Sequence, residues 1–294
     1  MVENLLKKIE NENGFIAALD QSGGSTPKLL KKYGIDESEY SNEKQMYQLV
    51  HKMRTRIITS PSFNSKSILG VILFKETMEN TIDGKFTADY LLEKDIVPFL
   101  KIDVGLEELE NDVQLLKPIP HLDEILEKAV SYNIFGTKMR SVIKGANEKG
   151  IEKIVKEQFS LAKIIISKGL IPIIEPEIDI NIADKEKAEE ILKEKIVKEL
   201  SDLSENDKVI FKLTLPTIDN FYKDLLTEKH TLRVLALSGG YSQSTACNLL
   251  SKNEGMIASF SRAFIEGLNI SQTDEEFNMI LEKNIKNIFT ASIK

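Results

Sequence analysis

The chain has 294 residues, of which 41% are hydrophobic and 29% are charged, and its formal net charge is −7. This composition is too apolar for an intrinsically disordered chain, and a single cysteine excludes an internal disulfide. The acidic balance argues against nucleic acid as a partner, because non-specific binding needs lysine and arginine to neutralise phosphates. No apolar run approaches the roughly 20 residues that cross a bilayer, and the N-terminus lacks the apolar stretch of a signal peptide. We therefore expect a soluble, cytoplasmic protein with no membrane partner.

Short apolar runs rich in valine, isoleucine, leucine and phenylalanine recur along the chain and predict strands. Eight runs fit this description: Gly14–Asp20, Ile68–Phe74, Val97–Asp103, Phe135–Arg140, Ile171–Ile178, Val209–Leu215, Arg233–Gly239 and Met256–Arg262. The segments between them have the three- and four-residue spacing of amphipathic helices, most clearly in Gly150–Lys168 and Asp184–Leu200.

Strands that alternate with helices run parallel, because each helix is a crossover connection. Eight such units in a chain of this length predict an α/β fold, a single (β/α)₈ TIM barrel that forms one domain over residues 1–294. A doubly wound open sheet is the alternative. It usually has a glycine-rich fingerprint after an early strand, and neither G-x-G-x-x-G nor G-x-x-x-x-G-K-[ST] occurs here.

Charged residues interrupt several predicted strands near their C-terminal ends, where barrel enzymes have their active sites. Four cations and four carboxylates on five strands share this position: Asp20, Lys101, Asp103, Lys138, Arg140, Glu175, Glu177 and Lys212. Any one of them could face outward or form a structural ion pair. Placing all eight next to a barrel core is unfavourable unless they compensate one another, so we expect one cluster that serves chemistry.

A lysine is the strongest candidate nucleophile in this cluster. The three histidines lie outside the predicted strands without metal-ligand spacing, and Cys247 falls in a helical stretch where it fits a packing role. A lysine amine forms a Schiff base with a carbonyl if desolvation or neighbouring cations lower its pKa. Lys212 has the most apolar neighbours in sequence, and Lys138 and Arg140 would supply positive charge nearby. We expect no metal ion and no cofactor.

Two loops with paired glycines indicate phosphate binding. Gln21–Pro27 (QSGGSTP) follows the first predicted strand, and Ser238–Ser242 (SGGYS) follows the seventh. Paired glycines allow backbone N–H groups to turn toward an anion. A plain turn would have the same residues, but the position after strand seven is where many barrels bind phosphate. Arg262, at the end of the eighth predicted strand, could contact the same anion.

Together these motifs resemble the class I, Schiff-base fructose-1,6-bisphosphate aldolases of the short bacterial type. The resemblance runs in family order from about Gly14 to Phe264 through ALDQS, GVILF, VPFLKID, GTKMR, PIIEPEI, FKLTLP, LSGGYS and SFSRA. No single segment is diagnostic, but PIIEPE, LSGG and KMR are specific in combination.

The resemblance implies reversible, metal-independent cleavage of fructose 1,6-bisphosphate to dihydroxyacetone phosphate and glyceraldehyde 3-phosphate, a step of glycolysis and gluconeogenesis. It assigns the Schiff base to Lys212 and the main acid/base role to Glu175. Supporting catalytic positions fall on Glu177, Lys138, Arg140 and Asp20. One phosphate site falls on Ser238, Gly239, Gly240 and Arg262, and the other on Ser22, Ser25 and Lys101.

Two features depart from the family pattern. Animal members end in a tyrosine that assists proton transfer at the nucleophilic carbon, whereas this sequence ends in Ser292-Ile293-Lys294, so the resemblance does not assign that proton transfer. Val104 stands where a basic residue is usual.

Two alternatives to this function are open. Another Schiff-base barrel aldolase or a transaldolase would use the same lysine, although two phosphate loops argue against a substrate with one phosphate or none. A non-catalytic sugar-phosphate-binding protein would need neither Glu175 nor a nucleophile. A small phosphorylated sugar is the expected partner in each case. A homo-oligomer is compatible with the sequence, which does not determine the oligomeric state.

Overall fold

The computed structural model describes residues 2–294, with the side chain of Ser25 outside that description. Across these residues eight parallel strands form the main sheet, here β1–β8: Phe15–Leu19, Ile68–Leu73, Val97–Lys101, Gly136–Ile143, Ile171–Ile178, Val209–Thr214, Thr231–Leu237 and Ile257–Ala258. Each strand pairs with the next one in the chain. The N–H of Ala18 in β1 donates to the carbonyl of Phe260, just after β8, which brings the sheet back to its first strand. The predicted TIM barrel is confirmed.

Helices connect the strands around the outside of this barrel. The described residues form ten α-helices, α1–α10: Val2–Asn11, Thr26–Tyr33, Glu43–Thr59, Lys75–Glu79, Thr87–Glu93, Leu122–Ser131, Glu148–Ser167, Lys185–Leu200, Gln243–Leu250 and Asp274–Ser292. None of the helices within residues 2–294 is long and apolar enough to cross a membrane. The two helices predicted in detail differ from α7 and α8 by two residues or fewer at each end. α7 begins at Glu148 because the side chain of Asn147 caps it by accepting from the N–H of Gly150.

The predicted strands differ from the observed ones most at the eighth. The apolar run Met256–Arg262 predicts seven residues, but the ladder includes only Ile257 and Ala258. After one further bond, from the N–H of Ser259 to the carbonyl of Ala236, the chain leaves the sheet in a turn. β4 extends three residues beyond its predicted end, because residues up to Ile143 pair with β5 and the short strand Val113–Gln114 pairs antiparallel on the other side.

Apolar side chains fill the N-terminal part of the barrel interior. They include Ile16 of β1, Phe99 of β3 and Ile173 of β5, and Ile9 of α1 packs against them. The rings of Phe99 and Phe135 meet edge to face at 5.4 Å. A second and larger cluster lies between the sheet and the surrounding helices. The barrel is therefore a packed core whose N-terminal mouth is covered by α1.

The alternation of side chains along each strand determines where the charges lie. Ile173 faces the apolar interior, and the next residues on the same side of that strand are Glu175 and Glu177. On β1, Ile16 and Ala18 face the interior and Asp20 follows them on the same side. The inward-facing series is therefore apolar at its beginning and charged at its end. The charges collect at the C-terminal mouth.

Gly136, the first residue of β4, allows β4 to approach β5. A Cβ at this position would lie 2.1 Å from the carbonyl oxygen of Ile171 and 3.0 Å from a ring carbon of Phe99. Because strand backbone cannot yield as a flexible side chain does, we expect Gly136→Ala to lower the free energy of unfolding by about 3 kcal/mol in urea titrations. Gly24→Ala is the control, since a Cβ there has no neighbour within 4 Å among the described residues. Equal stability of the two variants would contradict this packing.

Candidate active site

A cleft of about 1310 Å³ opens at the C-terminal ends of the barrel strands. All eight charged residues predicted to form one cluster line this cleft. The two glycine-rich loops line it as well, through Ser22, Gly23 and Gly24 on one side and Ser238, Gly239 and Gly240 on the other. The structure therefore brings the predicted site residues together, apart from Ser25, whose side chain lies outside the described part of the chain.

Lys138 of β4 is the cation on which three carboxylates converge. Its Nζ lies 2.8 Å from Asp20 Oδ2, 3.2 Å from Glu175 Oε2 and 3.4 Å from Asp103 Oδ2. Only 2% of Lys138 is exposed. Burial by itself lowers the pKa of Lys138, but the three negative charges outweigh it and hold the pKa well above its ordinary value. The ammonium group is therefore charged at neutral pH.

The pKa of Asp20 shifts in the opposite direction to that of Lys138. Burial by itself raises the pKa of Asp20, and the positive charges of Lys138 and Lys212 outweigh it, so that the pKa falls far below the ordinary aspartate value. The carboxylate is consequently ionised at neutral pH, with its Oδ2 held by Lys138.

Lys212 of β6 lies beside the second oxygen of Glu175. Its Nζ is 3.0 Å from Glu175 Oε1, and Lys212 and Glu175 are 4% and 3% exposed. Glu175 therefore bridges Lys212 and Lys138 through its two oxygens. Oε2 accepts no hydrogen bond within the described structure, although it is close enough to Lys138 for an ion pair. A buried carboxylate in this position can take a proton from one amine while a permanent cation holds it in place.

The backbone of Glu175 is held by a side chain from outside the barrel. Gln158 of α7 is fully buried, and its Oε1 accepts from the N–H of Glu175 at 2.9 Å while its Nε2 donates to Ser141 Oγ at 2.9 Å. In the described chain, the ladder between β5 and β6 includes only Ile173 and Ile174. Gln158 thus supplies a bond where the ladder has ended. Sequence reasoning missed this residue, and the available signal was a polar side chain within the apolar stripe of α7.

Two further ion pairs lie nearer the mouth of the cleft. Arg140 donates to Glu177, and Lys101 Nζ lies 2.8 Å from Asp103 Oδ1. Lys101 also lies over the ring of Phe74, with its Nζ 5.6 Å from the ring centroid. Asp103 contacts both Lys101 and Lys138. Its sequence position predicts that it belongs to the charge cluster, although the resemblance assigned it no catalytic or binding role.

The loop after β7 has the conformation that its glycines suggest. Gly239 and Gly240 have φ values of +56° and +113°, which favour glycine. A Cβ at Gly240 would lie 3.7 Å from Nη2 of Arg262. Arg262 is exposed in the turn after β8, and Ser238 is buried at the end of β7. The structure therefore places Arg262 beside this loop, as the sequence predicts, but on a turn rather than on a strand.

The histidines and the cysteine lie elsewhere. Among the described residues, the lining of the cleft does not include His51, His121 or His230. Cys247 is half-buried on α9. Between residues 2 and 294, no three side chains of histidine, cysteine, aspartate or glutamate are placed to hold a metal ion. The expected independence from metals stays a prediction.

The chain is similar to known aldolases along its whole length. The family model for glycolytic class I fructose-bisphosphate aldolases matches residues 2–219. Two relatives named fructose-bisphosphate aldolase class 1 align over 100% of both chains, one from Clostridium acetobutylicum at 62% identity and one from Porphyromonas gingivalis at 55%. A solved structure of fructose-bisphosphate aldolase from Plasmodium falciparum, in complex with TRAP and a small-molecule inhibitor, superposes with a TM-score of 0.76. It is 18% identical and the match covers 100% of this chain and 95% of that one, which shows a shared fold.

The lowered pKa of Asp20 predicts a pH-dependent contribution to stability. A carboxylate whose pKa is lowered by folding stabilises the protein above its unfolded pKa of about 3.9, and this stabilisation is lost as the pH falls toward the folded-state pKa. We expect Asp20→Asn to lower the free energy of unfolding by roughly 2 kcal/mol at pH 7 and by progressively less from about pH 4 to pH 2.5. Urea unfolding across this range measures the difference. Asp219→Asn, at an exposed position, is the control, and a pH-independent difference for Asp20→Asn would contradict the assignment.

Proposed function

The chain belongs to the class I fructose-bisphosphate aldolase family, and from this premise we propose that Lys212 forms the Schiff base through which it cleaves fructose 1,6-bisphosphate. The reaction is the reversible, metal-independent conversion of this sugar to dihydroxyacetone phosphate and glyceraldehyde 3-phosphate. The contact between Lys212 and Glu175, 3.0 Å long and buried at the base of the cleft, carries the assignment of the nucleophile.

Imine formation uses Lys212 and Glu175. Lys212 gives a proton to Glu175, and the neutral amine attacks C2 of the open-chain ketose. Glu175 then returns protons to the C2 oxygen, which leaves as water and gives a protonated imine. Of the three ammonium protons, two leave in the water molecule and one stays on the imine nitrogen. Lys138 holds the Glu175 carboxylate each time it is deprotonated.

Carbon–carbon cleavage uses Asp20. Its carboxylate takes the proton of the C4 hydroxyl, the C3–C4 bond breaks, and the electron pair moves into the imine to form an enamine. C4 becomes the aldehyde carbon of glyceraldehyde 3-phosphate. C3 of the enamine then takes up one proton, which balances the proton given up at C4, and hydrolysis releases dihydroxyacetone phosphate and Lys212. The low pKa of Asp20 keeps its carboxylate ionised at neutral pH.

The two phosphates bind on different loops in this proposal. Ser238, Gly239, Gly240 and Arg262 hold the 1-phosphate, since β7 and β8 follow β6, which carries Lys212. Ser22, Ser25 and Lys101 hold the 6-phosphate. Backbone N–H groups at Gly239 and Gly240 and the planar guanidinium of Arg262 suit a phosphate dianion.

The proposal also covers the domain organisation, the cellular location and the partners of the enzyme. Residues 1–294 act as one catalytic domain, in the cytoplasm, on a small phosphorylated sugar and without nucleic-acid or membrane partners. A transaldolase or another Schiff-base aldolase is disfavoured by the two loops that line one cleft, and a binding protein by the buried Lys212–Glu175 pair. Supporting roles in catalysis are proposed for Arg140 and Glu177.

The Schiff-base assignment predicts the site of covalent trapping. With fructose 1,6-bisphosphate and borohydride, the wild-type chain should gain mass on Lys212 when its peptides are mapped by mass spectrometry. Lys212→Ala should lose this adduct and lower kcat by roughly a thousandfold or more while the thermal unfolding temperature is maintained. Lys149→Ala, an exposed position on α7, is the matched control and should trap normally. Trapping on Lys138 or Lys101 would overturn the assignment.

The two phosphate sites predict different effects on substrate preference. Lys101→Met should reduce kcat/KM for fructose 1,6-bisphosphate by about thirtyfold and leave fructose 1-phosphate little changed, because Lys101 is largely buried and meets only the 6-phosphate. Arg262→Ala should reduce kcat/KM for both sugars together, by about tenfold or less, because solvent reaches this side chain. Steady-state kinetics on the two sugars measures the ratio. An unchanged ratio in Lys101→Met would remove Lys101 from the 6-phosphate site.

A further inference from the structure

The seam between β8 and β1 is the most sparsely paired part of the barrel. The two residues of β8 pair with β7, and across the seam the N–H of Ala18 in β1 donates to the carbonyl of Phe260 at 3.3 Å. Residues of both proposed phosphate sites adjoin this seam, since Ser22 follows β1 and Arg262 follows the continuation of β8. The separation of the two sites therefore depends on side-chain contacts more than on strand pairing.

A buried arginine holds the loop after β1 from the helix side. Arg54 of α3 is fully buried, and its Nη2 donates to the carbonyl of Gln21 at 2.6 Å. Its Nη1 donates to Thr77 Oγ1 in α4, the helix after β2, at 2.7 Å. Burial lowers the pKa of Arg54 to about 10, so the guanidinium is still charged at neutral pH. A buried charge requires fixed partners, and here the partners follow two adjacent strands: the loop after β1 and helix α4 after β2.

Gln21 extends this contact across the seam. Its Nε2 donates to Ser261 Oγ at 2.5 Å and to the carbonyl of Ala18 at 3.4 Å, while its Oε1 accepts from Arg54 Nη2 at 3.5 Å. Gln21 is the residue between Asp20 and Ser22, and Ser261 immediately precedes Arg262. The side-chain amide of Gln21, next to Ser22, therefore bonds to Ser261, next to Arg262. This bond links the two proposed phosphate sites.

We infer that Gln21 is a positioning residue that sets the distance between the two phosphate sites and thereby favours a substrate with a phosphate at each end. The inference rests on the proposed function. A bisphosphate engages both loops at once and needs them at one separation, whereas a 1-phosphate sugar engages only the loops after β7 and β8. Loss of the Gln21–Ser261 bond should therefore weaken the bisphosphate more.

Two single variants and their combination test this role. Gln21→Met keeps the length of the side chain without its amide, and Ser261→Ala removes the same bond from the other side. Each should lower the ratio of kcat/KM for fructose 1,6-bisphosphate to that for fructose 1-phosphate by about fivefold, through KM for the bisphosphate. Both changes remove the Gln21–Ser261 bond, and Gln21→Met also removes the longer bonds to Ala18 and Arg54. Because the shared bond can be lost only once, the double variant should be no worse than the worse single variant. Gln48→Met, exposed on the same helix as Arg54, is the matched control and should leave the ratio unchanged.

Several results would overturn the positioning role. They are an unchanged ratio in both single variants, an equal loss on both sugars, which a general loss of structure would also give, or additive losses in the double variant. If Gln21→Met fails to fold, the ratio in Ser261→Ala decides. A wild-type chain that cleaves neither sugar would overturn the proposed function instead, so the two failures are distinguishable.

Discussion

The charge of Lys138 is the constraint on which the rest of the site depends. Asp20, Asp103 and Glu175 converge on its ammonium group within 3.4 Å, in a part of the barrel that water hardly reaches. Without this cation, the pKa of Asp20 would rise, because burial by itself raises this pKa and the charge of Lys138 opposes that effect. Lys138 therefore lets Asp20 remain a carboxylate and leaves one oxygen of Glu175 to Lys212. Lys212, the proposed Schiff-base lysine, depends in this way on Lys138, to which Glu175 links it.

The cluster forms because the same order of inward-facing residues recurs on several strands of the barrel. On strands such as β1 and β5 the inward residues are first apolar and then charged, and α1 covers the opposite mouth. The apolar floor removes water from beneath the charges, which strengthens each ion pair but also requires the charges to balance. Four cations and four carboxylates meet this requirement. The layer between the sheet and the helices stabilises the fold independently of the charges.

Local patterns were sufficient to predict the parts of the site that lie on full strands. The alternation on β5 places Glu175 and Glu177 on one side whatever the rest of the chain does, and the same holds for Lys138 and Arg140 on β4. Gln158, Arg54 and Gln21 were not predictable in this way. Their contacts join residues 17, 33 and 240 positions apart, so the alternation within a strand does not reveal them. Helical spacing places Gln158 in the apolar stripe of α7, but it does not identify the partner of that side chain. The early end of β8 was not predictable from local pattern either, because the apolar run in the sequence continues after the ladder with β7 stops.

The residues of the proposed site are supported in two ways, some by long strands and others by side-chain contacts between loops. Lys212 and Glu175 lie on long strands. Pairing of Glu175 with β4 and of Lys212 with β7, together with the bond from Gln158, fixes their backbones to the accuracy that the proposed proton transfer demands. Arg262 lies beyond a two-residue strand, where the ladder cannot position it, and side chains from neighbouring loops must do so. A phosphate tolerates this looser support because it is large, doubly charged and accepts hydrogen bonds from many directions. The proposed nucleophile and its carboxylate therefore lie on the rigid part of the barrel, and the proposed phosphate sites adjoin the seam where the barrel closes.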